Sequence, residues 1–170
     1  MKIITKIVRK ILGLLDYLIV KLPDEFTFVR RLYYNYKGSK IDEFTSISNN
    51  VIIKGKIEMG YGSSIAQNCS IASEHSGVVI GKNVMMAPNA VIVDFNHGFS
   101  STKIPMVIQS NESKKVIIED DVWIASNCTI GKGVKIGRGS IISANSLVNK
   151  DVDPFSIFGG VPAKLIKHRS

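Results

Sequence analysis

The sequence predicts an all-β solenoid, a chain wound into a stack of short parallel strands. The first observation behind this prediction is a six-residue repeat of aliphatic residues that runs through 116–152 without a slip. Neither an amphipathic helix nor an alternating strand has this period, so each repeat is interpreted as a short strand followed by a corner. The repeating positions are Ile118, Ile124, Ile130, Ile136, Ile142 and Val148.

The same repeat extends towards the N-terminus. After a slip of three residues at 77–79 it resumes, and it breaks again at 98–117. With three hexapeptides per turn, the region 41–152 predicts about five coils. The earlier repeating positions are Ile41, Ile47, Ile53, Met59, Ile65, Ile71, Ile80, Met86 and Ile92.

The second observation is the residue type at the fourth position of each hexapeptide. Eleven of fifteen such positions hold Asn, Asp or Gly, and the exceptions are Phe44, Lys56, Glu74 and Phe95. Asn, Asp and Gly tolerate the left-handed backbone conformation that a tight corner requires. The pattern therefore predicts a corner after each short strand.

The N-terminal segment 1–22 predicts an amphipathic helix, because its apolar residues recur at helical spacing. Asp16 interrupts the apolar run and no small-residue cleavage site follows, which argues against a signal peptide. The helix is also too short and too charged to span a bilayer. Two interpretations stay open: packing on its own domain or a neighbouring subunit, and association with a membrane surface.

Two further segments flank the repeat. A second helix is predicted from Pro23 and Asp24 to near Gly38. Its Arg and Tyr residues could form a nucleic-acid stacking platform, but no RNA-binding motif accompanies them, so we expect packing against the first coil and no nucleic-acid partner. The basic C-terminal residues predict a short helix that caps the open end. The chain thus divides into an N-terminal helical segment, 1–40, the repeat domain, 41–152, with its loop at 98–117, and a capping segment, 153–170.

Composition sets broader bounds. With 170 residues, of which 45% are hydrophobic, the chain suits one soluble domain with a core. The formal net charge of +8 favours an anionic partner, and phosphate-bearing cofactors, nucleotide-linked sugars, nucleic acid and acidic lipid all fit. Cys69 and Cys128 both fall at a small inward position of the repeat, which predicts reduced core residues rather than a secreted protein.

One face of the predicted solenoid departs from the repeat. In its hexapeptides the inward positions hold His75 and Asn96, and the corner positions hold Glu74 and Phe95. Asp94 lies nearby in sequence, and both breaks in the repeat follow this face. Locally broken rules are expected at functional sites. This face is therefore the predicted location of the site.

His97 directly precedes the only long excursion from the coil, and loops of this length are usually functional. A neutral histidine at a cleft can take a proton from a hydroxyl or an amine near pH 7, so His97 is predicted to be a general base. His75 fits either a substrate contact or a structural hydrogen bond, and His168 is expected to be solvated. No close pair of ligands is present, so no metal site is predicted.

Four segments carry a family resemblance: DFNHGF, VWIASN, VKIGRGSIISANSLVNKDV and GGVPAKLIK. In this order they resemble the hexapeptide-repeat acyltransferases, which have a left-handed parallel β-helix, and are most similar to bacterial O-acetyltransferases of the galactoside, maltose and surface-polysaccharide branch. The resemblance alone implies the left-handedness, since parallel crossovers are ordinarily right-handed. It also implies a homotrimer that binds acetyl-CoA in the cleft between subunits.

The resemblance also assigns residues. His97 matches the catalytic base and Trp123 matches a tryptophan that lines the cofactor cleft. Ser126 and Ala144 are eighteen residues apart and should stack on consecutive coils, where the pantetheine arm would run. The complete cofactor-binding set is Trp123, Ser126, Ala144, Asn149, Lys150, Lys164 and Lys167, in which the lysines would meet the CoA phosphates. Approximate register gives the acceptor-binding set Asn68, Glu74, His75, Asp94 and Asn96.

Three functional hypotheses follow. The leading one is acetyl transfer from acetyl-CoA to a sugar hydroxyl in surface-polysaccharide biosynthesis. The second keeps the donor but transfers to an amine of a nucleotide-linked amino sugar or an antibiotic. The third is a structural or binding solenoid without catalysis. The expected location is the cytoplasm, with peripheral association at the inner face of the membrane as a further hypothesis for the N-terminal helix.

Overall fold

The computed structural model describes residues 13–169 and confirms the predicted solenoid. Three faces of parallel strands wind around one core. The first face stacks β2, β4, β6, β11, β14 and β16; the second stacks β3, β5, β7, β12 and β15; the third stacks β1, the ends of β3 and β5, β10 and β13. Their bounds are β1 Lys40–Ile41, β2 Ser46–Ile47, β3 Ile52–Met59, β4 Ser64–Ile65, β5 Ser70–Ile80, β6 Met85–Met86, β7 Val91–Val93, β8 Phe95–Asn96, β9 Glu112–Ser113, β10 Val116–Ile118, β11 Trp123–Ile124, β12 Thr129–Ile130, β13 Lys135–Ile136, β14 Ile141–Ile142, β15 Leu147–Val148, β16 Ser156–Gly160 and β17 Ala163–His168.

The register of the strands follows the sequence repeat. Ile124 pairs with Ile142, and Ile130 with Val148, so each coil takes eighteen residues where no insertion intervenes. All fifteen aliphatic positions named above are buried, and Cys69 and Cys128 are free, buried thiols whose pKa burial raises. The first face has six parallel strands, so the stack is taller than the predicted five coils because β16, from the predicted capping segment, forms a further strand.

The corner prediction is confirmed at ten of its eleven positions, where φ lies between 55° and 75°. The exception is Asp151, which is not among the described residues with positive φ and whose carboxylate accepts a hydrogen bond from the Lys135 N–H (2.9 Å).

One complete corner of the prism, between the first and second faces, is built from asparagines. The side chain of Asn127 bonds to those of Asn89 and Asn145 (3.0 and 3.1 Å). The ten corners are Asn50, Gly62, Asn68, Asn83, Asn89, Asp121, Asn127, Gly133, Gly139 and Asn145.

Two helices cover the N-terminal end of the solenoid. The first, α1, is helical through 13–21, and the rest of its predicted length lies outside the described residues. After a 3₁₀ turn at Asp24–Phe26 comes α2 (Thr27–Tyr36), as predicted. The inward side of α2 packs on the first coil through Arg30, whose Nε donates to the Ile47 carbonyl (2.7 Å), and Tyr34, whose hydroxyl donates to the Val51 carbonyl (2.8 Å).

The prediction of a C-terminal helix is wrong. The closing element is a hairpin in which β16 pairs with β14 in parallel and with β17 in antiparallel orientation. The reason is that β14 leaves an open row of backbone groups, which β16 satisfies; for example, the Ser143 N–H donates to the Phe158 carbonyl (2.8 Å). The chain then turns at 160–162 and shields the new edge with β17.

The long excursion lies two to three residues closer to the N-terminus than predicted. It begins with an antiparallel ribbon of β8 and β9, in which Phe95 pairs with Ser113. The coil resumes at Val116, because β10 already pairs there with the neighbouring strand β5. A 3₁₀ turn at Met106–Ile108 is the only helical turn between the two ribbon strands among the described residues.

Candidate active site

His97 lies directly after β8, at the base of the excursion, and its side chain is exposed. Its Nδ1 is 3.1 Å from Oδ1 of Asn111, which lies just before β9 on the other side of the ribbon. The Nδ2 of the same amide is 3.4 Å from Nε2 of His75. Asn111 therefore bridges the two histidines. With its oxygen towards His97 it accepts the Nδ1 proton, which leaves Nε2 of His97 as the free proton acceptor.

Phe95 separates the two imidazoles. Its ring centroid lies 4.6 Å from that of His75 and 5.6 Å from that of His97, with an edge-on arrangement in both pairs. Such packing restricts both histidines to defined orientations. The sequence departures on this face are thus brought together as expected, but sequence reasoning missed Asn111, because its position in the excursion belongs to no repeat.

Asp94 has a structural position rather than the predicted acceptor-binding one. It is completely buried. Its carboxylate accepts hydrogen bonds from four consecutive backbone N–H groups, those of residues 74–77, at 3.3, 3.0, 2.6 and 2.7 Å. Burial alone would raise the pKa of Asp94, but these four bonds lower it below its ordinary value. Because its oxygens are occupied in this way, Asp94 holds the segment that carries His75 and is not available to a sugar.

The prediction that His75 and Asn96 point inward is also wrong. Both are exposed, and the buried side chains nearby are those of Ser73 and Asp94. At His75 the phase changes because the β3–β5 register shifts at Gly55, whose φ is 82°, whereas Asn96 has left the coil on β8 and pairs with Glu112 of β9. A Cβ at this glycine would come within 1.9 Å of the Ser73 carbonyl oxygen, so the close approach of the two strands requires glycine.

Two clefts flank this cluster. One of about 320 Å³ is lined by Glu74 and His75 together with Lys56. The other, of about 420 Å³, is lined by Asn96 and Asn149, so it brings a predicted acceptor residue next to a predicted cofactor residue. Both clefts lie beside the corner between the second and third faces. Glu74, His75 and Asn96 are therefore placed where an acceptor could approach His97.

Of the remaining cofactor candidates, Lys150 directly follows Asn149, and the others lie elsewhere in the chain. Trp123 is 44% exposed on β11, in the first face. Ser126 and Ala144 precede the asparagine corner on consecutive coils, and the Asn145 N–H donates to the Ser126 carbonyl (3.0 Å), which agrees with the predicted stacking. Lys150 follows β15, and Lys164 and Lys167 are exposed on β17.

The prism geometry separates the two halves of the predicted site. Ser126 and Ala144 lie at the corner between the first and second faces, whereas His97 extends from the corner between the second and third. Asn68 belongs to the first of these corners, where its Oδ1 accepts from Asn50 (2.9 Å) and its φ is 62°, so it does not join His75 or Asp94 in one chain. Different corners can meet only where two copies of the chain lie side by side.

Two features are absent from residues 13–169. No group of three His, Cys, Asp or Glu side chains there is arranged to hold a metal ion. Within the same range, no helix combines the length and apolar character needed to cross a bilayer. His168 is exposed on β17, as expected.

Comparison with known proteins matches this architecture. The family described as bacterial transferase hexapeptide (six repeats) matches residues 115–150. The galactoside O-acetyltransferase of Escherichia coli is 30% identical over 168 residues, which cover 86% of this chain and 80% of that protein. This chain belongs to the bacterial hexapeptide-repeat transferase family.

Two further proteins match this chain, one in sequence and one in structure. The putative lipopolysaccharide biosynthesis O-acetyl transferase WbbJ of Escherichia coli is 38% identical over 104 residues, so the match spans 57% of this chain and about half (53%) of that relative. The structure of AntD, an N-acyltransferase from Bacillus cereus in complex with dTDP-4-amino-4,6-dideoxyglucose and coenzyme A, has a TM-score of 0.72 and 26% identity, and covers 78% of this chain and 74% of that one.

Proposed function

We propose that this protein transfers an acetyl group from acetyl-CoA to a sugar hydroxyl in the synthesis of a surface polysaccharide. The observation that carries the proposal is His97, whose Nδ1 is held by Asn111 so that Nε2 is free to accept a proton. The relatives support the chemistry, since two are named as O-acetyltransferases and a structural neighbour was solved with coenzyme A.

In the proposed reaction Nε2 of His97 takes the hydroxyl proton as the acceptor oxygen attacks the thioester carbonyl of acetyl-CoA. The carbon–sulfur bond then breaks, and the proton held by the imidazolium passes to the leaving thiolate. The products are the acetyl ester and CoA. Asn111 contributes by fixing the tautomer of His97, and Phe95 by fixing its ring.

We infer that the active protein is a homotrimer. The cofactor candidates Trp123, Ser126 and Ala144 and the base His97 lie at different parts of the prism, so one chain supplies the donor edge and its neighbour the base. The pantetheine arm would run along the stacked Ser126 and Ala144 edge, while Asn149 with Lys150, Lys164 and Lys167 would bind the adenine end and the phosphates. Glu74, His75 and Asn96 would contact the acceptor.

The second candidate function is acetyl transfer to an amine of a nucleotide-linked sugar. It is favoured by the structural similarity to AntD, an N-acyltransferase solved with an amino-sugar nucleotide. The same histidine could take a proton from an amine, so the geometry around His97 does not separate the two reactions.

The experiment is an assay of the purified protein with acetyl-CoA and matched pairs of acceptors, sugars that carry either a hydroxyl or an amine at one position. Release of CoA with the hydroxyl sugar, and at least tenfold less with the amine, is expected. The reverse preference would replace the first function by the second. A protein that binds no CoA by calorimetry would instead be a non-catalytic solenoid.

Asn111 provides a more specific test of the mechanism. Replacing it with alanine removes the acceptor of the Nδ1 proton, so His97 can rotate and adopt the unproductive tautomer. We expect kcat to fall about tenfold with little change in the KM for acetyl-CoA. Asn111→Asp keeps an oxygen acceptor and should recover most of the activity. An equal loss in both variants would show that Asn111 does not act through His97.

A further inference from the structure

In α2 a charged side chain faces the solenoid and a row of apolar side chains faces outward, which is the reverse of an ordinary surface helix. Its buried side contains Arg30, which is 0% exposed, whereas Phe28, Leu32 and Tyr36 are 51%, 57% and 90% exposed. These three residues are spaced by four along the helix and so form one stripe, on the side away from Arg30. Burial of the arginine is stabilised by bonds to the carbonyls of residues 22, 23 and 47. The apolar stripe therefore faces outward.

The neighbouring helix α1 also exposes apolar residues. Leu14, Tyr17 and Leu18 are all more than half exposed. The two helices are held together by Asp16, which accepts hydrogen bonds from the Tyr33 hydroxyl and from Lys37 (3.3 Å). The exposed apolar residues of both helices therefore belong to one cap at the N-terminal end of the solenoid, well away from the C-terminal hairpin. We call these residues the cap surface: Leu14, Tyr17, Leu18, Phe28, Leu32 and Tyr36.

The charge of the chain favours an acidic membrane over a second copy of the protein as the partner of this surface. Residues 1–21 contain five Lys or Arg and one acidic residue, Asp16, two further acidic residues, Asp24 and Glu25, lie in the turn before α2, and the chain as a whole carries a formal charge of +8. A second copy of the same basic segment would be repelled, whereas the headgroups of acidic lipids would be attracted. Exposed apolar and aromatic side chains in a segment whose sequence is rich in Lys and Arg are the pattern of helices that lie in a membrane interface.

We propose that the cap surface docks on an acidic bilayer. In this arrangement the side chains of Phe28 and Leu32 enter the boundary between headgroups and acyl chains, with Tyr36 at the polar level. The solenoid then stands on the membrane by its N-terminal end. This proposal concerns a surface separate from His97 and does not depend on the acetyl-transfer reaction.

The test measures binding of the full chain to vesicles by co-sedimentation. We expect binding to vesicles that contain phosphatidylglycerol, at least tenfold weaker binding to phosphatidylcholine alone, and weaker binding at higher salt. The double variant Phe28→Asp/Leu32→Asp should weaken binding at least tenfold, since each substitution removes an apolar side chain from the interface. The matched control is Ile166→Asp, because Ile166 is 60% exposed but lies on β17 at the other end.

Three results would overturn the proposal. The first is equal binding to both kinds of vesicle. The second is unchanged binding by the double variant while thermal unfolding shows that it is folded. The third is a double variant whose assembly state changes in sedimentation velocity while its vesicle binding does not, which would assign the cap surface to contact between subunits. Since the readout is binding alone, failure here leaves the proposed acetyl transfer untouched.

Discussion

Replacing His97 with alanine is expected to lower kcat for acetyl transfer by about 10²- to 10⁴-fold, the usual contribution of a positioned general base. The side chain is exposed and contacts Asn111 and Phe95 rather than the solenoid core. The variant should therefore unfold at nearly the wild-type temperature and bind CoA with nearly unchanged affinity in calorimetry. Loss of turnover with donor binding retained is the specific signature of a missing base.

The control is His168→Ala, because His168 is also exposed but lies on β17, at the C-terminal hairpin. This variant should keep the wild-type rate. If the His97→Ala protein turned over at close to the wild-type rate, another group would be the base, and His75, 3.4 Å from the shared Asn111 amide, would be the first to replace.

The second large effect is expected at Asp94. Replacing this residue with asparagine leaves one oxygen for four N–H donors and turns an NH₂ group towards them. Charge-assisted hydrogen bonds of a buried group contribute strongly, so the free energy of unfolding should fall by about 3 kcal/mol. The KM for the acceptor should also rise, because segment 74–77 and its His75 lose their support. Chemical denaturation and steady-state kinetics measure the two effects.

The effect at Asp94 should depend on pH. Its pKa in the folded protein lies below the ordinary value. The stabilisation is therefore present above the pKa of the unfolded chain and is lost as pH falls through the folded-state value. The difference between wild type and Asp94→Asn should be constant near neutrality and shrink below about pH 4.

The matched control for Asp94 is Asp120→Asn. Asp120 is exposed, and its Oδ1 accepts one backbone bond, from Lys82 (2.7 Å). This variant should lose less than about 1 kcal/mol. A similar loss in the free energy of unfolding at both positions would mean that the four hydrogen bonds to Asp94 contribute no more than the single bond to Asp120.

The sequence predicted the regular part of the molecule well, because a six-residue period constrains every coil in the same way. Buried Ile and Val and left-handed Asn and Gly follow directly from it. The C-terminal end of the chain was harder to predict. The segment around Lys164 has residues that a helix accepts. It forms a strand because β16 pairs with the open edge of β14 and β17 then pairs with β16. The local sequence does not reveal these contacts between distant parts of the chain.

Candidate site residues could be selected from the sequence only where they lie next to the repeat. His97 could be selected because it ends a hexapeptide that departs from the repeat and precedes the long excursion, whereas its partner Asn111 lies fourteen residues later and is brought back by the β8–β9 ribbon. Asp94 was given a ligand-binding role because position in sequence does not reveal burial. The register shift at Gly55 moved His75 outward, and the pairing of β8 with β9 takes Asn96 out of the coil; periodicity alone could predict neither.

The β8–β9 ribbon has a consequence for how such proteins diversify. The chain leaves the second face after β7 and re-enters the third face at β10, so the excursion begins and ends within one coil. Its length and composition can change without shifting the register of any other coil. His97 and Asn111 lie at its two bases, while Trp123, Ser126 and Ala144 lie outside it. In the proposed mechanism, the surface that meets the acceptor can therefore be replaced as one unit, while the proposed base His97, its partner Asn111 and the proposed donor edge stay in place.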